Sequence, residues 1–123
     1  MTKSLLSIII KTSQTVYPAL LWTIILFVLC SMPSPQLPKG LPNDKTAHLL
    51  AFASFGLLWF LFRPKFILII LLGILYGILI EFWQAILPEN FHRGFAWLDI
   101  LADSIGTLAG VSVGYFVNLY LRK

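Results

Sequence analysis

Residues 66–87 read FILIILLGILYGILIEFWQAIL, an apolar run with one charged residue, Glu81. A helix needs about 20 apolar residues to cross a bilayer core. Three further runs, at 15–32, 45–62 and 97–121, approach or exceed that length. Four such blocks predict an all-α, polytopic membrane bundle of four transmembrane helices, in one domain spanning 1–123, with a long outer loop between helices 1 and 2. The chain is 59% hydrophobic and 11% charged, about half the charge share of a typical soluble domain. A soluble all-helical domain is the alternative, but its core would not need uninterrupted apolar blocks.

Proline sets the boundaries. MPSPQLPKGLP separates the first two runs, RPK the second and third, and Pro88 ends the third. A proline lacks the N–H and clashes with the preceding turn, so it stops a helix. The first run follows Lys3 and Lys11 like a signal peptide, but no small-x-small cleavage site follows it and Leu29 before Cys30 does not suit lipoprotein processing; a retained span is expected. Cys30 is the sole cysteine, which excludes an intrachain disulfide and reads as a packing residue.

The net charge of +4 is spread around the apolar runs. This pattern points to membrane orientation rather than to a nucleic-acid partner. With the N-terminus inside, Lys3, Lys11, Arg63, Lys65, Arg122 and Lys123 are cytoplasmic, against Lys39, Lys45 and Arg93 outside. The positive-inside rule therefore predicts both termini in the cytoplasm. All the acids of the chain, Asp44, Glu81, Glu89, Asp99 and Asp103, then fall in the outer half with His48 and His92.

Helical spacing brings some of these residues together. At about 1.5 Å per residue, Glu81 lies roughly 9 Å below the outer end of its run. Asp103 lies one turn below Asp99, and His48 one turn below Asp44. Gly73, Gly77, Glu81 and Gln84 share one stripe, and Asp99, Asp103, Gly106, Gly110 and Gly114 another. Glycines at this spacing allow close backbone approach in lipid, within the bundle or between copies in an oligomer. The acids therefore belong on packed faces.

Most of these polar residues have an ordinary structural reading. Asp44 and Asp99 start helices and suit capping. His48 suits an interfacial hydrogen bond, Gln84 a tie between helices, and Lys45 a snorkelling role. Arg93 suits a headgroup anchor, while Glu89 and His92 suit a solvated loop. Glu81 and Asp103 do not sit at caps, and an ionised acid at mid-depth costs about 3 kcal/mol. They predict a polar pocket shared with His48 and covered by the loop that carries Arg93.

The segment NDKTAHLLAFASFGLL resembles the first motif of VanZ-like membrane proteins, with Asp-Lys, a histidine three residues on and then phenylalanine. EFWQ, then HRG, LDILAD and a glycine, resembles their second motif. The resemblance runs from Asp44 to Gly110. It implies a small multi-helix protein of the bacterial cytoplasmic membrane, with Asp44, Lys45, His48, Glu81, Gln84, Arg93 and Asp99 as its polar set. Asp103 stands where many members have Asn and adds a negative charge. The family's founding member is associated with resistance to the glycopeptide teicoplanin, so the resemblance implies a cell-envelope role without an agreed reaction.

Three functions compete. A binding protein would hold the headgroup of an envelope lipid or lipid-linked precursor, with Arg93 and Lys45 as anion contacts and Asp44, His48, Glu81, Gln84, Asp99 and Asp103 around it. A hydrolase or transferase would draw acid/base or metal chemistry from His48, Glu81 and Asp103, with Asp99 as a further donor. A proton or ion carrier would use the buried acids as a relay. No Cys/His metal spacing, serine nucleophile elbow or phosphate-binding glycine loop appears, and no cofactor is specified. Binding ranks first, the enzyme second and the carrier third, because no cytoplasmic acid continues a relay.

Overall fold

The computed structural model describes residues 3–32, 44–89 and 96–121. They form five helices: α1 (Lys3–Ser13), α2 (Val16–Ser31), α3 (Asp44–Phe62), α4 (Phe66–Ala85) and α5 (Trp97–Leu121). No strand occurs among the described residues. α3, α4 and α5 are long and apolar enough to cross a membrane; α1 and α2, bent by 64° at their junction, add a fourth crossing only if they are taken as one span.

The expected first span thus resolves into something more complex. α2 occupies its place, but at 16 residues it extends only about 24 Å, short of a hydrocarbon core of about 30 Å. α1 precedes it as a separate amphipathic helix, with Leu5, Leu6, Ile8 and Ile9 exposed. Its serines and lysines interrupt the apolar run, so a search for continuous hydropathy passes over it. The loop expected between the first two spans lies outside the described residues.

α3 touches each of the other four helices, and its most extensive neighbour is α5. The two run parallel, because Gly106 lies against Leu49, Gly110 against Ala53 and Gly114 against Phe60. α4 runs antiparallel to α5, with Gly77 against Asp103 and Gly73 against Thr107. At Gly56 an added Cβ would lie 2.6 Å from the Thr107 carbonyl oxygen. These glycines therefore receive neighbours from within the chain, the close approach that small residues permit in lipid. On the opposite side of α4, Leu71, Leu75, Leu79, Phe82 and Ile86 form an exposed stripe suited to acyl chains.

α2 is joined by apolar packing and by the polar tips of aromatic residues. Leu26 and Cys30 pack with Phe52, Phe55 and Ile80, and Tyr76 stacks on Phe55 with ring centroids 5.3 Å apart. Trp22 Nε1 donates to the Ala51 carbonyl at 2.9 Å, Trp59 Nε1 to Thr23 Oγ1 at 2.8 Å, and Trp83 Nε1 to Ser31 Oγ at 2.8 Å. The Tyr76 hydroxyl donates to the Thr23 carbonyl at 2.7 Å. An indole or phenol buries a large apolar body while its N–H or O–H still needs an acceptor. The resulting bonds set the register of α2 on α3 and α4.

Candidate functional site

At one end of the bundle the polar residues of three helices converge. His48 lies one turn into α3 and Glu81 one turn before the end of α4. Asp99 and Asp103 lie one turn apart near the start of α5. Since α4 runs against the other two, these positions fall in one layer about 3–9 Å inside the helix ends, with Asp99 the outermost and Asp103 the deepest. Glu81 and Asp103 are both 0% exposed, and His48 and Asp99 are also buried.

The pairings are specific. His48 Nδ1 lies 2.8 Å from Asp103 Oδ1, and His48 Nε2 lies 3.6 Å from Asp99 Oδ2. Asp99 Oδ1 accepts from Lys45 Nζ. The Lys45 side chain is 47% exposed, against 6% for that of Asp99, so this ion pair forms the rim of the cluster. Glu81 Oε2 accepts from the backbone N–H of Ala96 at 3.0 Å, and that residue immediately precedes α5. Glu81 Oε1 is buried and has no hydrogen-bond partner among the described residues. One donor atom each from His48, Glu81 and Asp103 lie within 4.8 Å of one another.

Thr107 supports the cluster from below. It sits one turn after Asp103, fills the notch at Gly73 and donates from Oγ1 to the Asp103 carbonyl at 2.8 Å. The glycine of α4 at position 77 gives Asp103 its room: an added Cβ there would lie 2.9 Å from Asp103 Oδ2.

The expected convergence of His48, Glu81 and Asp103 is therefore present, with Lys45 and Asp99 beside it. Gln84 is taken up elsewhere: it is buried, and its Nε2 donates to the Cys30 carbonyl at 2.9 Å, tying α4 to α2. Glu89 is exposed. Arg93 and His92 lie outside the described residues, as does the side chain of Asp44. Two contributors are new. Thr107 was legible at one helical turn from Asp103. The Ala96 amide carries no sequence signal, because every residue but proline offers the same donor.

The fold and the cluster define a class: a multi-pass helical membrane protein with a buried, mixed acid–base centre at one end of its bundle. Within that class the chain belongs to the VanZ/LLP1 family, whose family model matches residues 11–118. Comparisons with curated proteins and with solved structures give no match.

Proposed function

We propose that this protein binds the polar headgroup of an envelope lipid or lipid-linked precursor at the cluster end of the bundle. The observation that carries this reading is Glu81 Oε1, a buried carboxylate oxygen without a hydrogen-bond partner among the described residues. Leaving such an atom unsatisfied costs about 1–3 kcal/mol or more, which a headgroup hydroxyl or ammonium would recover. Lys45, half-exposed at the rim, would meet the phosphate of the same headgroup, and Arg93 would be a second anion contact.

Under this reading the protein resides in the bacterial cytoplasmic membrane with both termini inside, and the cluster opens outward. Glycopeptide susceptibility is then the phenotype to examine. Lipid mass spectrometry after gentle purification tests the binding. The wild-type chain should retain one lipid class in excess over the bulk membrane, and Lys45→Gln should reduce that excess several-fold. A retained lipid profile identical to that of the bulk membrane rejects the reading.

Orientation has its own test. In a Cys30→Ala background, Glu89→Cys should react with an impermeant maleimide in intact cells, while Lys65→Cys should react only after permeabilisation. The reverse pattern would put the cluster at the cytoplasmic face.

A second reading is favoured by the 2.8 Å contact of His48 with Asp103. A histidine oriented by a carboxylate is a general base in waiting, and Glu81 would supply the acid of a hydrolase or transferase acting on the bound headgroup. Release of a headgroup fragment by purified protein would establish turnover. A carrier role finds no comparable support, since the chain's acids all lie at or beyond the cluster level.

A further inference from the structure

We infer that His48, Glu81 and Asp103 form a binding site for a divalent transition-metal ion of the zinc class, held between α3, α4 and α5. The site stands on its own geometry; the role of the ion as the contact for a headgroup phosphate rests on the binding function proposed above.

Three observations converge on it. The first is the donor set. One imidazole nitrogen and two carboxylates suit zinc or manganese, whereas magnesium and calcium favour all-oxygen shells. Two carboxylates also match the charge of a divalent ion when the imidazole is neutral.

The second is distance. Ligand atoms about 2.1 Å from an ion stand about 3.0–3.4 Å from each other in octahedral or tetrahedral arrangements. The three donors already lie within 4.8 Å of one another, and His48 Nδ1 is 2.8 Å from Asp103 Oδ1. From a span of 4.8 Å, the widest pair would have to close by at most about 1.8 Å to reach ligand spacing. The third is Glu81 itself, fully buried with an oxygen lacking a partner among the described residues. A cation supplies what that oxygen lacks.

The surroundings are arranged for such an ion. With Nδ1 as the ligand atom, the other ring nitrogen of His48 must carry the proton. Asp99 Oδ2 is 3.6 Å from that nitrogen, beyond hydrogen-bond range as the ring stands, and would accept its proton if ion binding brought the two closer. A carboxylate that orients a ligating histidine in this way recurs around bound metals. Lys45 neutralises that carboxylate on its other oxygen, so Asp99 can serve the histidine without adding charge to the centre. The remaining positions of the ion's shell stay available to water or to phosphate oxygens.

The full chain, purified without a histidine tag, stripped with a chelator and dialysed, tests this directly. Titration with zinc chloride should show one ion per chain by elemental mass spectrometry and calorimetry, and zinc should raise the melting temperature, because only the folded bundle assembles ligands from three helices. Glu81→Gln and Asp103→Asn should each weaken zinc binding by at least tenfold. Asp103→Asn keeps the shape of the side chain and a hydrogen-bonding oxygen for His48 Nδ1, so it should fold. Glu89→Gln, at an exposed site, should leave the affinity unchanged.

Absence of stoichiometric zinc uptake would overturn the inference. So would uptake that Glu81→Gln and Asp103→Asn leave intact, since the ion would then sit on the surface. Retained lipid without zinc uptake rejects the metal site while leaving the headgroup function standing. Zinc uptake sensitive to both variants, without any selectively retained lipid, upholds the site and rejects the headgroup function.

Discussion

Gly110→Leu should dismantle the packing of α5 on α3. A side chain at this position would overlap the Ala53 carbonyl oxygen and stand 2.8 Å from both the Ala53 carbonyl carbon and the Leu57 nitrogen. These are backbone atoms of a helix, so no change of rotamer removes the clash. Overpacking costs about 1–3 kcal/mol when neighbours can adjust; here the helices themselves must separate, and the upper end applies. A loss of that size lowers the melting temperature by about 10 °C in a domain of this length. Gly114→Ala provides the contrast. Its new Cβ would meet the Phe60 ring at 2.9 Å, and a ring can swing aside, so only a few degrees should be lost. The measurement is a thermal melt of each variant in one detergent, with membrane yield beside it. A Gly110→Leu protein that melts like the wild type would mean that α3 and α5 do not meet at this point.

The contrast between these glycines also shows what the sequence could and could not convey. Spacing put Gly106, Gly110 and Gly114 on one face with Asp103, and the structure buries that face. It did not reveal that this stripe meets α3 while Gly73 and Gly77 receive the side chains of α5, because small residues mark close approach without naming the partner. The polar cluster was legible for a physical reason: an acid inside an apolar run needs company, and matching depth on three helices limits the choice. Gln84 shared the stripe of Glu81, but the amide is directed to the Cys30 carbonyl on α2. Face and depth alone do not distinguish these two destinations for neighbouring polar residues. α1 went unseen because hydropathy averages hide a helix that is apolar on one side only. The aromatic ties from Trp22, Trp59, Tyr76 and Trp83 depend on the register of distant segments, which local sequence does not encode.

Glu81→Gln should separate function from stability more sharply than any other change. The substitution keeps the shape and keeps an acceptor for the Ala96 N–H, which Glu81 Oε2 now receives at 3.0 Å. It removes an acid that is fully buried and that costs about 3 kcal/mol to place at depth when ionised. The new amide can donate to the carboxylates around it. The folded bundle should therefore melt at or above the wild-type temperature. Under the proposed headgroup function, binding should respond in the opposite sense. A hydrogen bond to a charged group contributes about 1.5–3 kcal/mol, so its loss should weaken headgroup retention by about 10- to 100-fold. Complementation of a strain lacking the protein, scored by envelope integrity and glycopeptide susceptibility, should fail with Glu81→Gln although the protein accumulates normally. His48→Asn should fail in the same assay, with a lower melt because it leaves a cavity beside Asp103. If both variants complement in proportion to their thermal stability, the cluster is a scaffold that happens to be polar. Loss of complementation by a Glu81→Gln protein that melts no lower than the wild type means instead that the buried acid is retained, against its cost in lipid, for what it binds.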